Sequence, residues 1–425
     1  MKLLSIPFAA CAALLITFST PSGAQTRLLT IEEALQTALK NRAEFRAADA
    51  AIEARAAVSL QATARPNPTL SIQTENWRGW GSPSFTARDV DVFAFVSAPI
   101  ETGGKRGRRI ELARTDERIA ELRKQALDLA IHREASRAYW AALGAEQRRE
   151  LLAEGVESWR RLSENTQIRL DLGAGSELEL IQVQIEQRKA EIALASAVLG
   201  ARQAQIELAR TIGIAPIDGG FALRRPAAKQ DAAPPNDAAF ATALRSRPEI
   251  LLGESAIASA RAATELAQAQ AKPNATPYFG YKRASGQHTL VGGVSTPLPF
   301  FNRSRYRGRI AQAGAEVRRL EAELDAVRSR VQADVTAALE ALRERERILR
   351  SIEGEMLSQA AQTAEISEAA YQEGGVTLLT VIDARRGLNE VRLLRQQADF
   401  DYATARIDME SALGTGPEFV RSDPN

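Results

Sequence analysis

Side chains that commonly perform chemistry are scarce in this sequence. It contains two histidines, His132 and His288, and a single cysteine, Cys11, close to the amino terminus. The motifs HExxH, GxSxG and GxxxxGK(S/T), which mark zinc proteases, serine hydrolases and phosphate-binding loops, are absent. We therefore predict no catalytic residues, no metal site and no cofactor, and a protein that is not an enzyme.

Two turns rich in glycine and arginine are the strongest candidates for a binding site. They read VSAPIETGGKRGRRI (96–110) and VSTPLPFFNRSRYRGRI (294–310), and each joins a strand-like segment to a predicted helix. Such a turn can bind phosphate through backbone N–H and guanidinium groups. It can also be a strand-to-helix junction, in which proline ends strand pairing and glycine permits the bend. We favour the junction, and its residues are Pro99, Gly103, Gly104, Lys105, Arg106, Pro297, Asn302 and Arg303.

The amino terminus predicts an exported protein. A basic start and an apolar run that ends at Phe18 are followed by small residues at 22–24. This order is typical of a cleavable signal peptide, here residues 1–24, and a membrane anchor is the alternative. Because Cys11 lies inside that segment, we expect a mature chain without disulfides, thiolate metal ligands or a lipid anchor.

Charge argues against a nucleic-acid-binding protein, and hydropathy argues against membrane-spanning helices in the mature chain. The chain has 55 basic and 53 acidic residues, so no overall field draws it to nucleic acid. After the signal peptide, no segment has the roughly 18 consecutive apolar residues of a membrane-spanning helix. Any part that spans a membrane must therefore consist of strands that close into a barrel.

The sequence contains an internal duplication. ALKNRAEF (38–45) matches ALRSRPEI (243–250), and ARPNPTLSI (64–72) matches AKPNATPYF (271–279). GAGSELELIQVQ at 173 corresponds to GGVTLLTVIDAR at 374. Matching landmarks in one order indicate two structural repeats. The predicted boundaries are 25–213 for the first repeat, 214–235 for a linker rich in Pro and Gly, 236–414 for the second repeat and 415–425 for a tail.

The sequence of each repeat predicts the same order of helices and strands. A helix of about 35 residues comes first, then two strand-like segments, and then a long stretch without proline that reads as helices. One coiled-coil stripe in the second repeat supports these helices; it consists of Leu320, Leu324, Val327, Val331, Val335, Ala338 and Leu342. The predicted ranges are 30–64, 68–78, 89–99 and 100–215, and then 236–271, 276–283, 288–298 and 300–416.

The strand-like segments have the alternation of a membrane sheet. Val90, Val92, Ala94 and Val96 share one face, although Phe93 and Phe95 on the other face weaken the pattern. Four strands are too few to close a barrel, which needs about eight. Several copies must contribute, and a trimer supplies twelve strands. Two soluble hairpins that cover a helical bundle are the alternative.

These features together resemble the outer membrane efflux proteins of the TolC family. The motifs that carry the resemblance are RPNP (65–68), PIETGGKRGRR (99–109), PLPFFNRSR (297–305) and YQEGGVTLLTVIDARRGLNE (371–390). The GGKR turn is most similar to the heavy-metal branch typified by CzcC and CusC. The resemblance implies a mainly α fold with a small membrane β-barrel, in which a homotrimer forms a 12-stranded barrel in the outer membrane of a Gram-negative bacterium and an α-helical barrel in the periplasm.

The resemblance also implies partners and a role. A periplasmic adaptor and an inner-membrane pump of the resistance-nodulation-division type would complete a tripartite efflux system that exports heavy-metal cations. The channel itself would be passive. Drug or organic-compound export by the same fold is the first alternative. A soluble periplasmic coiled-coil adaptor is the second, although an adaptor has one helical hairpin and this chain predicts two.

Site residues follow from position in the family. The helix-to-helix turns would contact the adaptor, and their residues are Gly173, Ser176, Leu178, Gly374, Thr377 and Leu379. The pore constriction would contain Tyr371 and Asp383, with Glu179 and Gln182 at the corresponding place in the first repeat. Three copies of Asp383 would make an acidic ring that attracts cations. Val376 and Thr380 stand where drug-exporting relatives have an arginine and an acidic residue, so the usual gate network is in doubt. The basic junction residues would lie beside the inner leaflet.

Overall fold

The computed structural model describes residues 27–76, 90–216, 220–226, 234–298 and 303–416. The predicted signal peptide, Asn302 and most of the predicted tail lie outside the described residues. Within them, the two halves repeat one order of elements: two short helices, a β-hairpin and two long antiparallel helices. This order confirms the predicted helix–hairpin–helix duplication, while the exact repeat boundaries stay a prediction.

The elements have the following bounds. The first half contains β1 (Arg27–Leu29), α1 (Ile31–Asn41), α2 (Ala43–Ala62), β2 (Thr69–Glu75), β3 (Asp91–Ser97), α3 (Lys105–Asp171) and α4 (Glu177–Thr211). The second half contains β4 (Phe221–Leu223), α5 (Asn236–Ser246), α6 (Pro248–Gln270), β5 (Thr276–Ala284), β6 (Gln287–Ser295), α7 (Arg303–Ser351), α8 (Leu357–Gln372) and α9 (Leu378–Leu413). A π-helical segment, Ile352–Met356, joins α7 to α8.

The prediction of one 35-residue helix at the start of each repeat was wrong. The chain is extended at Arg42 and at Arg247, so α1 and α2 are separate helices, as are α5 and α6. Proline at 248 explains the second break, because the residue before proline disfavours helical backbone angles. In the first half the break is stabilised by contacts, since the Arg42 guanidinium lies 3.0 Å from Glu44 Oε1 and also pairs with Glu134.

The long helices lie side by side. Near the sheet, α2 packs on α3, α3 on α6 and α6 on α7, and at the other end α4 packs on α3, α3 on α9 and α9 on α8. The stripe predicted on α7 is confirmed, because Leu324, Val331 and Val335 are buried against α5 and α6. At about 1.5 Å per residue, the 67 residues of α3 extend roughly 100 Å. In the part of the chain that the structure describes, no helix has both the length and the hydropathy to cross a membrane.

The hairpins join into one antiparallel sheet of order β2-β3-β5-β6. Leu70 lies opposite Val96, and Val96 lies opposite Phe279, so the first repeat's hairpin pairs with the second repeat's hairpin through β3 and β5. A separate parallel pair, β1 and β4, lies beside α3. There the buried Tyr139 hydroxyl is 2.8 Å from Leu29 O and 2.6 Å from Arg224 O, and burial raises the pKa of Tyr139 to about 12.

Candidate functional site

One face of the four-stranded sheet is apolar and exposed. The strand register brings its apolar side chains together, and they are Leu70, Ile72, Val92, Ala94, Val96, Phe279, Tyr281, Leu290 and Val294. Thr74, Arg283 and His288 lie on the same face, at the end of the sheet where each hairpin turns. Leu70, Ile72 and Leu290 are 65%, 69% and 73% exposed, although burial is the usual state of large apolar side chains. A contiguous patch of this kind marks contact with lipid or with another protein. The face that the sequence predicts, with Val92, Ala94 and Val96, is part of it.

The opposite face of the sheet is polar, with an aromatic group at its centre. Gln73, Lys282 and Thr289 lie on this face. Phe95 packs on Tyr278 with ring centroids 5.9 Å apart, and Lys282 Nζ lies 4.7 Å from the centroid of the Phe93 ring. The two phenylalanines that weaken the sequence alternation therefore contact residues of their own face.

The two outer strands of the sheet each have an unpaired edge. Among the described residues, β2 pairs only with β3, and β6 pairs only with β5. Each outer edge exposes backbone N–H and C=O groups that another strand can pair with. The four described strands can therefore be extended at either edge by further strands.

The junction after β3 contains the glycines that the sequence singles out. Gly103 and Gly104 have φ of 71° and 74°, which residues with a Cβ rarely adopt. At Gly103 a Cβ would also lie 2.5 Å from Lys272 Cδ. The junction assignment of these two residues thus has a direct conformational reason, and the first long helix begins immediately afterwards at Lys105.

The basic residues of this junction bind the ends of neighbouring elements. The Lys105 ammonium is buried, donates to Lys272 O at 2.5 Å and also donates to Asn274 Oδ1. Burial lowers the pKa of Lys105. The Lys105 charge is thus used between α6 and β5, and the position of the basic residues beside the inner leaflet stays a prediction.

Arginines of the same turn contact the carboxyl end of α2. Arg106 Nε donates to Thr63 O at 2.7 Å, and Arg109 donates to Ala62 O at 3.1 Å and to Ala64 O at 2.9 Å. The last carbonyl groups of a helix lack intrahelical donors, and cationic side chains there are favourable. These contacts stabilise the start of α3 against α2, a role that the sequence pattern did not indicate.

Pro99 does not end strand pairing on the side that faces β5. The N–H groups of Ala98 and Ile100 donate to Pro277 O at 3.1 Å and to Ala275 O at 2.7 Å, so pairing with β5 continues past Pro99. The prediction that Pro99 ends strand pairing was therefore wrong on the side of β5. Proline is tolerated at this position because alternate N–H groups face β2, and β2 begins only at Thr69, so no residue there needs a donor from Pro99. In the second repeat Pro297 is exposed after β6, and Arg303 begins α7 with an exposed side chain.

The turns at the far end of the long helices have the predicted glycines. Gly173 and Gly374 have φ of 72° and 80° and follow α3 and α8. Ser176 Oγ accepts from Glu179 N at 3.3 Å, and Glu179 Oε2 accepts from Ser176 N at 3.2 Å, which is a capping box. Thr377 stands at the equivalent cap position of α9, but its hydroxyl lies 3.2 Å from the Thr380 hydroxyl and makes no bond to the backbone.

Two leucines make these turns apolar at the surface. Leu178 and Leu379 are 65% and 56% exposed, and Leu172 beside them is also exposed. Both turns thus present apolar side chains at the end of the molecule farthest from the sheet. We refer to the residues 172–179 and 373–380 as the helical tips.

Tyr371, expected at the constriction, is buried within the chain. It belongs to a cluster of α3, α4, α8 and α9 that also contains Trp159 and Val183. The Arg169 guanidinium lies 4.5 Å from the centroid of the Tyr371 ring, and Arg169 Nη2 donates to Ala174 O at 3.3 Å. Burial raises the pKa of Tyr371. Arg169 therefore connects the first tip to α8, and no sequence motif pointed to it.

Asp383 is exposed but is not an isolated negative charge. Arg386 Nη1 lies 3.4 Å from Asp383 Oδ1, and Arg386 Nη2 lies 2.7 Å from Glu186 Oε1. Lys189 Nζ also lies 2.7 Å from Glu186 Oε1. The hydrogen bond from Arg386 holds the pKa of Glu186 below its ordinary value. The arrangement links α9 to α4 through two carboxylates and two cations.

The other two predicted constriction residues, Glu179 and Gln182, both lie on α4. Glu179 is occupied by the capping box, and Gln182 is half-buried on α4. Within the described ranges, no group of three or more His, Cys, Asp or Glu residues is placed to hold a metal ion.

Comparisons with known proteins agree with this architecture. The profile of the family described as "Outer membrane efflux protein" matches residues 34–214 and 240–415. The chain is 24% identical over 369 residues to the cobalt-zinc-cadmium resistance protein CzcC of Cupriavidus metallidurans, which covers 86% of this chain and 85% of CzcC.

Two further proteins are similar. The pyoverdine export outer membrane protein OpmQ of Pseudomonas putida is 30% identical over 185 residues, which is 41% of this chain and 38% of OpmQ. The solved structure of the outer-membrane channel OprN has a TM-score of 0.75 with 18% sequence identity and covers 98% of both chains. At that identity the likeness to OprN shows a shared fold.

Proposed function

Because this chain belongs to the outer membrane efflux protein family, in the TolC group of channels, we propose that three copies form one channel across the outer membrane. A 12-stranded barrel lies in the membrane, and the long helices extend as an α-helical barrel into the periplasm. A signal peptide at residues 1–24 directs export of the chain. Families of this kind are passive channels, so the channel supplies a path and no energy.

The sheet is the observation that carries this proposal. It has an exposed apolar face, a polar opposite face and two unpaired edges. Lipid leaves unpaired backbone groups without partners, so the edges must close on other strands. Because the two edges differ, copies join head to tail, and such contacts close into rings. Three copies supply twelve strands, which exceeds the roughly eight that a closed barrel needs.

We further propose that the channel is the exit duct of a tripartite system. An inner-membrane pump of the resistance-nodulation-division type would supply the energy, and a periplasmic adaptor would join it to the helical tips. The exposed Leu178 and Leu379 support this role, because they give each tip an apolar contact surface. The junction, at the other end of the helices, holds the barrel on the helical part.

Heavy-metal cations are the substrate class that the similarities favour. CzcC, a relative whose alignment covers 86% of this chain, is a cobalt-zinc-cadmium resistance protein. Asp383, repeated three times around the axis, would attract cations as cargo, and Arg386 beside it would weaken that attraction. Metal selectivity then belongs mainly to the pump and the adaptor.

Export of an organic compound by the same channel is the second candidate. OpmQ, a pyoverdine export protein, is more nearly identical to this chain than CzcC, but over 41% of it. The adaptor alternative has less support, because the efflux family profile matches both halves of the chain.

Two measurements test the proposal. Fractionation and sizing of the full-length protein in detergent should give a membrane-associated trimer, and a water-soluble monomer would contradict the channel. A deletion strain should lose tolerance to Co, Zn, Cd, Cu, Ag or Ni salts and should keep tolerance to organic toxicants. The reverse pattern would retain the channel and replace its substrate class.

A further inference from the structure

The polar face of the sheet contains more aromatic surface than a water-filled lumen requires. The interior of a membrane barrel is generally polar, yet Phe93, Phe95 and Tyr278 lie together on this face, beside Lys282. The whole chain is only 5% aromatic, so three rings at this place are a local concentration. All three are half-buried by their own chain and keep part of their surface free for contact with another molecule.

Two glycines give the aromatic side chains room to lie along the sheet. The strand register places Phe95 opposite Gly280 and Tyr278 opposite Gly293. A Cβ at Gly280 would lie 2.4 Å from Phe95 Cβ, and a Cβ at position 293 would lie 2.6 Å from Tyr278 Cζ. Each aromatic side chain therefore occupies the space that a side chain on the neighbouring strand would fill. The Tyr278 ring consequently runs across the sheet toward β6 and does not stand upright on it.

The rings form one continuous surface that ends at an ammonium group. The ring centroids of Phe95 and Tyr278 are 5.9 Å apart, with their planes at 60°. Phe93 follows on the same face of β3, and Lys282 Nζ lies 4.7 Å from its ring centroid. The face of an aromatic ring carries partial negative charge and attracts a cation in this way. The Lys282 charge is thus positioned at the end of the aromatic surface that is nearer to the hairpin turns.

Among the described residues, no carboxylate pairs with the Lys282 ammonium. The two carboxylates of this face, Glu75 and Asp91, lie opposite each other and two residues nearer to the hairpin turns. Glu75 Oε1 accepts from Gln73 Nε2 at 2.9 Å. Asp91 Oδ1 accepts from Ser285 N at 3.0 Å. The ammonium can therefore form a charge-assisted hydrogen bond with an anionic group of a bound molecule.

We propose that this surface binds planar aromatic carboxylates inside the barrel. We call it the aromatic patch, and it consists of Phe93, Phe95, Tyr278 and Lys282. A flat ring of the ligand stacks on the aromatic side chains, and its carboxylate pairs with the Lys282 ammonium. Two residues along a strand span about 7 Å, so the register positions of Phe95 and Lys282 are separated by about the length of a two-ring acid.

This inference rests on the proposed function, because the polar face lines a lumen only if several copies close into a barrel. It gives the second candidate substrate class, organic compounds, a chemical form, which is a flat aromatic anion. Conduction requires binding that is strong enough to admit cargo and weak enough to release it. Stacking on half-exposed rings meets both conditions, and three copies place three such patches around one lumen.

Equilibrium binding to the purified trimer tests the aromatic patch. The fluorescent probe 2-naphthoate should bind saturably to the full-length protein in detergent. Lys282→Gln should weaken this binding by about two- to fivefold, the contribution of an exposed ion pair. Phe95→Ser should weaken it by about two- to tenfold through loss of stacking. Arg283→Gln and Phe279→Ser are the matched controls and should bind like the original protein, because both residues lie on β5 with their side chains on the apolar face.

Gly293 offers a variant that leaves every side chain of the aromatic patch in place. The atom nearest to a Cβ at this position is the Tyr278 hydroxyl, at 2.5 Å, so Gly293→Ala should push the free end of that ring off the sheet. The fold should be retained, since the end of a side chain can move, and binding should weaken by about twofold or more. Gly292→Ala is the matched control, because a Cβ there has its nearest atom 3.5 Å away and lies on the other face.

Competition shows which part of the ligand is recognised. The cation 2-naphthylmethylammonium keeps the rings and reverses the charge, and cyclohexanecarboxylate keeps the charge without an aromatic ring. Both should displace the probe less well than unlabelled 1-naphthoate, by about two- to tenfold. A trimer without saturable binding, or one whose binding is the same in all variants, would overturn the aromatic patch and leave the channel intact. A water-soluble monomer would overturn the proposed function itself.

Discussion

At the scale of the residue, the charged groups of the junction join elements that are far apart in the chain. Lys105 donates to the backbone of Lys272, and Arg106 and Arg109 donate to the last carbonyls of α2. A run of basic residues after two glycines left phosphate binding as the alternative to a strand-to-helix junction. The partners are instead carbonyl oxygens that would otherwise lack donors, which is a common requirement at helix ends.

Replacement of Lys105 should test this structural role. Lys105→Met leaves Lys272 O and Asn274 Oδ1 without their donor, so we expect a loss of about 1–3 kcal/mol in the free energy of unfolding. Lys40→Met removes the same charge from an exposed position and should have little effect. Denaturant unfolding of the purified protein measures both, and equal effects would exclude the buried contacts as the cause.

The stability that the Arg386–Glu186 pair contributes between α9 and α4 should depend on pH. Arg386 lowers the pKa of Glu186, so the pair stabilises the fold above the ordinary Glu pKa near 4.3, and this contribution is lost as pH falls through the lower pKa of the folded state. Arg386→Gln should therefore lower the thermal midpoint at pH 7 and have a smaller effect at pH 3.5. Arg347→Gln, which breaks an exposed pair on α7, is the control. A deficit that does not change with pH would contradict the assignment.

At the scale of the element, the π-helical segment accounts for a difference between the repeats. Arg109–Ile110 and Arg309–Ile310 are 200 residues apart, whereas Gly173 and Gly374 are 201 apart. The second repeat therefore has one additional residue between its junction and its tip. A π turn contains one residue more than an α turn, so Ile352–Met356 takes up the insertion and α7 and α8 both keep their buried faces toward α9.

Single-residue deletions should distinguish this segment from the helix around it. Deletion of Gly354 converts the π turn to an α turn and should leave the yield of folded oligomer near that of the original protein. Deletion of Gln362 in α8 rotates everything after it by about 100°, which removes Tyr371 and Ala364 from their buried positions. Expression and sizing of the two variants test this, and equal tolerance would show that the π turn has no such role.

Two glycines in the second hairpin, Gly280 and Gly292, should differ in how well they tolerate substitution by alanine. A Cβ at Gly280 would lie 2.5 Å from Phe95 Cα, so Gly280→Ala must displace β3 or β5 and should cost about 1–3 kcal/mol. At Gly292 the nearest atom, Phe279 Cδ2, is 3.5 Å away, so Gly292→Ala is the matched control. Heat stability of the oligomer in gel electrophoresis measures both changes.

At the scale of the whole molecule, one chain is a segment with two different sides. The sheet has two unpaired edges, α2 and α4 present one side, and α7 and α8 present the other. A soluble monomer rarely exposes apolar patches of this extent. In the proposed trimer, closure with other copies would provide partners for the backbone edges and for exposed apolar side chains of α4 such as Ile185 and Ile192.

Lysine substitutions on the two faces of the sheet test their environments. Ile72→Lys places a charge on the apolar face and should cost about 2–4 kcal/mol if that position lies near the middle of a membrane. Gln73→Lys places the same charge at the neighbouring position, on the polar face of the sheet, and should be tolerated. The fraction of protein recovered in outer membranes reports both, and equal recovery would contradict the assignment of the faces.

The sequence by itself determined the features that repeat locally. The duplication, the long helices, the strand alternation of Val92, Ala94 and Val96, the glycines of the junction and the glycines of the tips are all visible in the chain order. They are predictable because helix and strand periodicity and glycine geometry depend on residues only a few positions apart. The resemblance to the efflux family rests on the same local motifs.

Only the tertiary structure decided which distant groups meet. Arg386 and Glu186 are 200 residues apart, and Arg169 and Tyr371 are 202 apart. An exposed charge and a paired charge look the same in a sequence, because the partner is chosen by packing of helices and not by spacing. For the same reason the burial of Lys105 became visible only once neighbouring elements were in place.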